Sequence, residues 1–402
     1  MTEQLDMTRA PPVLDIDPFA VENLRDPYPF YAALRDTAPV VFIPAHNMYA
    51  VGRYEETRTV MTDYARFTSE GGIGLSDIRK PGAWRTPSPI TEVDPPRHTP
   101  IRGALTKVLS PIVIRRWREV FTEEAERQAE ALPKNVDLDA VRDIVQPYVL
   151  KVFPDVLGID MPREYFLPLG EMNFNQLGPN NDLTKRSVAD SASILEKYAT
   201  YFDRSSMIPG GLGEQIYAAE DRGDFAPGTG GVQVRTFLRA GVDTTISGIG
   251  WALYYLATNP DEWAKVKADP SLAKNAFEEA IRLSGPASCI FRTTVADMEF
   301  SGLHLKGDTK VGCFLGAASR DGRQFPEPDA FRVERESAGI HMALGAGAHI
   351  CIGQNIARLE AECILSALVR RIDRIELTGT PAVHPINTLR TLETLPLRLV
   401  AH

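Results

Sequence analysis

Along most of the chain apolar residues recur every three or four positions, the spacing of one buried helix face, and strict alternation is confined to short runs. This predicts a short helix opened by Asp26-Pro27-Tyr28-Pro29-Phe30 and running through Leu34 and Arg35, then a hairpin of Val40 to Ile43 and Met48 to Val51. A helix from Tyr54 to Thr62 and a glycine-rich loop from Gly71 to Gly74 follow. Proline dominates Pro81 to Pro96, a loop of fixed turns long enough to be functional. His98-Thr99-Pro100-Ile101-Arg102 starts the next helix, with Pro100 in the tolerated first turn. Helical spacing continues over Ile112–Leu132, Leu138–Leu157, Tyr165–Leu177 and Leu183–Phe202. The longest helix is expected from about Val232 to Ala257, although Ala240-Gly241-Val242-Asp243-Thr244-Thr245 lowers helix propensity in its middle. Helices at Asp261–Lys267 and Leu272–Leu283 precede strands at Phe291–Thr294, Met298–Phe300, His304–Leu305 and Val311–Phe314. Leu395, Leu397 and Leu399 alternate in a last strand, Leu389–Val400. The pattern describes a mainly α protein with a small β region. No linker or internal repeat divides it, so residues 1–402 read as one unit, with residues 1–15 disordered.

Three glycines surround one cysteine in Leu344-Gly345-Ala346-Gly347-Ala348-His349-Ile350-Cys351-Ile352-Gly353. Such a backbone turns tightly and approaches a flat object closely. A helix starts just past Gly353, with Ile356, Leu359, Cys363, Ile364, Leu368 and Ile372 as its apolar positions. Cys351 then sits at a helix N-terminus, where free N–H groups favour a thiolate. A lone thiolate in such a loop suits a haem iron, whereas an arbitrary cysteine is more often a small buried hydrophobe.

Composition adds exclusions. With 44% hydrophobic and 24% charged residues the chain is ordinary for a globular protein. Its net charge of -9 argues against a general nucleic-acid binder, although Arg115, Arg116 and Arg118 form a local basic cluster. Cys289, Cys313, Cys351 and Cys363 show no CxxC spacing and no disulfide framework, which points to a reducing compartment. Met1 to Pro12 reads as neither signal peptide nor anchor, and no long uncharged apolar stretch follows. The expectation is a cytoplasmic protein with no nucleic-acid or membrane partner.

His98-x-x-x-Arg102, Ala240-Gly241-x-Asp243-Thr244-Thr245, Glu279-x-x-Arg282 and Gly345-x-Gly347-x-His349-x-Cys351-x-Gly353 occur in the order found in cytochromes P-450. The sequence resembles a soluble bacterial member of that family. The resemblance implies the mainly α haem-thiolate fold, haem b (iron protoporphyrin IX) as cofactor, and Cys351 as its axial ligand, kept anionic by N–H groups including that of Gly353. One departure is Leu344, where the family usually has Phe. Asp243 and Thr244 match the acid–alcohol pair that delivers protons during dioxygen activation. In that role Thr244 leaves its i−4 carbonyl to hold a water, and Asp243 relays protons from outside. The alternative is a surface salt bridge for Asp243 and a Thr244 bonded to its own helix. His98, Arg102, Arg292 and His349 occupy propionate-contacting positions, because buried carboxylates demand cations. Ala240 and Gly353 also fall against the cofactor. Glu279, Arg282 and Arg335 are expected to brace the loop that carries Cys351.

Within the family, Trp84-Arg85-x-Pro87-Ser88, Asn173-Phe174-Asn175-x-x-Gly178-Pro179, Val234-Arg235-Thr236 and Phe291-Arg292-Thr293-Thr294 are most similar to monooxygenases of para-substituted benzoates such as 4-methoxybenzoate. Such an acid brings one carboxylate into an apolar pocket, and Arg85 and Ser88 supply a cation and a hydroxyl to meet it. Thr236, Ala240 and Thr244 are i+4 neighbours, so Thr236 and Thr244 stand about 12 Å apart on one stripe. That is a ruler for an acid held at one end and oxidised at the other. Arg235 lies about 100° off the stripe and either caps the pocket or faces solvent. Phe174, Leu177, Val242 and Ile290 either sandwich the ring or are ordinary core.

No flavin or NAD fingerprint is present. The resemblance therefore implies O2 as co-substrate and electrons from a [2Fe–2S] ferredoxin with its NAD(P)H-dependent reductase. Lys107, Arg115, Arg116, Arg118 and Arg358 are candidates for its basic docking face. The implied activity is hydroxylation or O-demethylation of the aromatic acid, or of another small aromatic. A peroxide-driven peroxygenase is disfavoured by the Asp243–Thr244 pair, and a non-catalytic haem protein needs neither relay nor clamp.

Overall fold

The computed structural model describes residues 9–85 and 87–401. Its axis is the 29-residue helix Gly230–Thr258, about 44 Å long. It runs unbroken through Ala240–Thr245. Val234, Phe237, Leu238, Ile246, Ile249, Trp251 and Leu253 are all buried, and packing on nearly every side outweighs the poor local propensity. Helices Gln146–Leu157, Phe166–Leu177, Leu212–Asp221, Ala273–Ser284 and Gln354–Arg371 all pack against it. Among the described residues no helix is long and apolar enough to cross a membrane.

The expected hairpin forms between Val41–Ile43 and Met48–Val51, its turn closed by Asn47 in the left-handed region. Met48–Val51 pairs parallel with Lys310–Phe314, which pairs antiparallel with Cys289–Thr294, and Phe67–Thr68 completes the sheet. Alternation along Cys289–Thr294 sends Cys289 and Phe291 into the core and leaves Ile290 and Arg292 on the opposite face, lining a cavity.

Three expectations are corrected. Residues 1–8 lie outside the described residues, but 9–15 are not disordered. Leu14 N donates to Phe42 O at 2.9 Å and Phe42 N to Pro12 O at 2.8 Å, because an edge strand's unpaired groups take whatever chain lies beside them. Leu138–Leu157 is not one helix. Asp139 Oδ1 accepts the N–H groups of Val141 and Leu395, and Asp137–Asp139 pairs with Pro396–Val400. Helical structure therefore begins with a π turn, Val141–Val145, before Gln146–Leu157. Leu389–Val400 is two strands, Leu389–Thr394 on Ala382–Ile386 and Pro396–Val400 on Arg374–Leu377. Pro396 has no N–H to give, so the ladder changes partner there.

Helix Ala273–Ser284 carries two adjacent buried carboxylates that face different ways. Glu279 accepts Arg282 Nε and Nη2 at 2.7 and 2.9 Å and Arg335 Nε at 2.7 Å. The same guanidinium groups donate onward to Ser319 O, Pro328 O and Pro326 O. Glu278 accepts Arg358 Nε and Nη2 and meets His341 Nε2 at 3.1 Å. Glu279, Arg282 and Arg335 thus lock the segment 319–335, while Glu278, which the sequence reading passed over, ties the residues on either side of the Cys351 loop. Arg358 consequently turns inward instead of joining a docking face. Arg118 engages Glu362, and Lys107, Arg115 and Arg116 are exposed.

Removing one partner of a buried pair leaves the other charge unmet. Glu279→Gln is expected to lower the unfolding free energy, measured in urea, by about 3–5 kcal/mol. Glu327→Gln, which removes an exposed partner of Arg332, is expected to cost under about 1 kcal/mol.

Candidate active site

The Cys351 loop turns at Gly345 and Gly347, with φ of 72° and 70°, a region that disfavours any residue with a Cβ. A Cβ at Gly347 would also lie 3.0 Å from Thr62 Cα. Cys351 N donates to Leu344 O at 2.8 Å, and helix Gln354–Arg371 begins directly after Gly353. Burial raises the Cys351 thiol, opposed by the N–H groups of Gly353 and Gln354 and by the charges of Arg102 and Arg358. The N-terminal donors are where the sequence put them, yet desolvation outweighs them.

Two cavities meet at Cys351. The larger, about 270 Å³, is lined by Cys351, Leu344 and His349 below, by Thr236, Arg239, Ala240 and Thr244 of the long helix, and by Phe174, Leu177, Ile290, Arg292, Arg85 and Ser88. The second, about 180 Å³, lies between Cys351, Ile350 and Gly353 on one side and Ala240, Gly241, Thr244 and Thr245 on the other, with Arg102 and Glu360 at its edge. Burial pushes the Glu360 carboxyl well up, against the nearby Thr245 hydroxyl; this group was not foreseen.

Donors around these cavities are short of acceptors. Arg292 is 2% exposed, and its one hydrogen bond among the described residues runs from Nη1 to Phe291 O at 2.9 Å. His98 Nε2 is buried without a partner. Its ring lies 4.4 Å from that of His349, and burial, with the charges of His349 and Arg102, lowers its pKa to about 4. His349 Nε2 lies 3.2 Å from both Asp94 Oδ1 and Ser69 Oγ. Burial acts to raise Asp94, but hydrogen bonds from His349, Ser69 and Thr68 outweigh it and hold the carboxylate far below its usual range. Asp94 was missed, although it stands four residues before His98. Cavities that meet at a cysteine, flanked by Arg292 and His98 without carboxylate partners among the described residues and by His349 beside Asp94, fit haem b with its two propionates.

Thr244 Oγ1 donates to Ala240 O at 2.7 Å, as Thr236 does to Val232 O at 2.9 Å. The expectation that Thr244 leaves its i−4 carbonyl is thus corrected: within an unbroken helix that carbonyl is the nearest acceptor. Asp243 is buried, in neither a surface salt bridge nor the larger cavity. Its carboxyl lies against Gly170 of helix Phe166–Leu177, where a Cβ would fall 1.9 Å from Oδ2, in a small pocket with Met161, Leu169, Tyr198, Arg239 and Val242. Burial, with a smaller contribution from the charge of Glu171, pushes its pKa up to about 7.

Of the expected substrate residues, Arg85, Ser88, Phe174, Leu177, Thr236 and Ile290 line the larger cavity. Val242 faces the Asp243 pocket instead, and Arg235 is off the cavity wall. In their place stands Arg239, missed because the i+4 row was followed and the i+3 row from Thr236 was not. Arg85 is already engaged: Nη1 donates to Glu92 Oε1 at 2.7 Å and Ser88 N to Glu92 Oε2 at 2.5 Å. The loop bearing them is latched to helix Phe166–Leu177, with Trp84 Nε1 donating to Gln176 O at 2.9 Å and Leu75 N to Leu177 O at 2.8 Å.

Comparison with known proteins adds independent findings. The family model "Cytochrome P450" matches residues 218–387. The chain is 43% identical to the protein named cytochrome p450 CYP199A2 from Rhodopseudomonas palustris, covering 96% of this chain and 94% of that one. It is 28% identical to a beta-dihydromenaquinone-9 omega-hydroxylase of Mycobacterium tuberculosis, covering 95% of this chain and 78% of that one. Among solved structures, cytochrome P450 CYP109Q5 from Chondromyces apiculatus superposes with a TM-score of 0.80 at 30% identity, over 96% of this chain and 99% of that one.

The Asp243 pocket yields a pH test. With a folded pKa of about 7 above the ordinary carboxylate value, the folded protein keeps a proton that the unfolded chain has lost between roughly pH 4 and 7. Stability should fall with rising pH across that window, by at most about 1.4 kcal/mol per unit, and level off above it. In urea unfolding as a function of pH, the difference between wild type and Asp243→Asn should follow this slope, because the contributions of Glu360 and His98 are common to both. Gly170→Ala, which forces the carboxyl from its pocket, should flatten the slope while keeping the acid.

Proposed function

This chain belongs to the cytochrome P450 family of haem-thiolate monooxygenases, and from that premise we propose that its substrate is a small aromatic carboxylic acid, a para-substituted benzoate such as 4-methoxybenzoate. The observation that carries this reading is the larger cavity. Its walls are apolar, with Phe174, Leu177 and Ile290 disposed to flank a ring, while guanidinium and hydroxyl groups line it alongside Cys351 and Thr244.

We assign Cys351 as the residue whose thiolate would hold the haem iron, His98, Arg102, Arg292 and His349 as the donors that would meet the propionates, and Ala240 and Gly353 as residues that would lie against the cofactor. Haem b held there would supply reductive activation of O2, in which two electrons and two protons are consumed, one oxygen atom enters a C–H bond and the other leaves as water. The chain's own residues bind the acid, keep water away and deliver the protons. Asp243 holds a proton in its Gly170 pocket, and the Thr244 hydroxyl, bonded to Ala240 O and lining the larger cavity, passes a proton on. For an aryl methyl ether, oxygen insertion at the methyl group gives a hemiacetal that releases formaldehyde and leaves the phenol. Electrons come from a [2Fe–2S] ferredoxin with an NAD(P)H-dependent reductase, for which exposed Lys107, Arg115 and Arg116 provide the positive face.

The test is turnover of 4-methoxybenzoate with ferredoxin and reductase. Formaldehyde and 4-hydroxybenzoate should form in equal amounts; absence of both, with other aromatic acids also unconverted, would remove the substrate assignment. Thr244→Ala should bind the acid normally but release most reducing equivalents as hydrogen peroxide, and an unchanged ratio of product to NAD(P)H would rule out the relay role.

A further inference from the structure

Resting on the reading of the substrate as an aromatic acid, we propose that the counter-ion of its carboxylate is Arg239, positioned by Asn173, and that Arg85 with Glu92 forms a neutral part of the cavity wall. Three arginines line the larger cavity: Arg85, Arg239 and Arg292. Arg292 lies on the cofactor side, within the influence of Asp94. Arg85 is paired with Glu92 through Nη1, their side chains 5% and 0% exposed, which leaves Nε buried without a partner but the charge of the guanidinium met. A substrate carboxylate placed on Arg85 would put a second anion beside a buried one, and like charges so juxtaposed repel strongly.

Arg239 has no such partner. Nε donates to Asn173 Oδ1 at 2.9 Å and Nη2 donates to the same oxygen, a neutral acceptor that orients the guanidinium without cancelling its charge. Asn173 Nδ2 donates back to Arg239 O at 3.3 Å, which fixes the amide. Among the described residues Nη1 makes no hydrogen bond and no carboxylate pairs with this guanidinium. Asp243, one turn further along the helix, lines a small pocket together with Arg239, but its carboxyl is turned to Gly170. Burial lowers the Arg239 pKa, opposed by Tyr198 and by the charge of Glu92, while the charges of Arg85 and Arg235 act in the same sense as burial. A cation in these surroundings is short of one anion.

The placement fits the ruler. Arg239 precedes Thr244 by five residues, about 7.5 Å along the axis, and helical side chains lean toward the N-terminus, which carries the guanidinium further from Thr244. Thr236 spends its hydroxyl proton on Val232 O and is left an acceptor, unsuited to an anion. Ser88 Oγ accepts from Ile90 N and Thr91 N, and its own proton is free to supplement Arg239.

Calorimetry on the haem-loaded full chain with 4-methoxybenzoate and its methyl ester decides the matter. The wild type should bind the acid about 10–100-fold more tightly than the ester, the range of a charge-assisted hydrogen bond. Arg239→Gln should lose that preference and bind the ester within about threefold of wild type, and Arg239→Lys should recover part of it. The double variant Arg85→Gln/Glu92→Gln, which removes the pair without changing net charge, should keep the preference. If Arg239→Gln also loses the ester, Arg239→Lys must restore acid preference for the proposal to stand. Equal binding of acid and ester by the wild type would overturn the substrate reading and this proposal with it. A wild-type preference that survives in Arg239→Gln would overturn the proposal alone.

Discussion

Glu278 and Glu279, neighbours on one helix, fix where Cys351 stands. Each is buried, so each must be met by positive charge, and the arginines and histidine that meet them come from distant parts of the chain. Glu279 draws in Arg282 and Arg335, whose remaining N–H groups satisfy carbonyls of the segment leading to the loop. Glu278 draws in His341 before the loop and Arg358 after it. The glycines at 345 and 347 permit the turn, Glu278 holds its ends, and Glu279 holds the segment that leads to it.

The same requirement that buried charge be matched organises the cavities above. His98 and Arg292, sequestered with almost no acceptors, match a cofactor that brings two carboxylates. Asp94 is matched from within by His349, Ser69 and Thr68, and so serves to aim His349. Glu92 is matched by Arg85. Asp243 solves the problem differently, its pKa raised by burial to about 7 so that near neutral pH it is only partly ionised. Protonation there follows from enclosure by Gly170 and its neighbours, so the acid is coupled to the same helix, Phe166–Leu177, that contributes Phe174 and Leu177 to the substrate cavity.

Much of this was legible in the chain. Helical spacing located the long axis and the helix after Gly353, and short apolar runs located the hairpin, each to within a few residues, because the apolar positions of these elements are the ones they bury. The Cys351 loop was legible because glycine at fixed offsets is a backbone signal independent of tertiary context. What failed depended on distant partners. Asp139 stops a helix only because Leu395 arrives beside it, and the break at Pro396 decides which strand each half of 389–400 joins. Helix Leu212–Asp221 was passed over. In the site, the i+4 row from Thr236 picked out Ala240 and Thr244 correctly but not Arg239, since a cavity wall is wider than one row. Val242, adjacent to Asp243, turned out to share its outward pocket. No local pattern separates Glu278 from Glu279; only the positions of Arg358 and His341 do.

The latch between the proline-rich loop and helix Phe166–Leu177 has a kinetic meaning. Trp84 and Leu75 bind to the carbonyls of consecutive residues, Gln176 and Leu177, so neither element can swing outward without tearing those bonds or taking the other along. A ligand passing between them would therefore meet one barrier, crossed by loop and helix moving together. Dissociation should accordingly be a one-phase process whose rate answers to substitutions on either side of the seam, even those with no contact to the departing molecule.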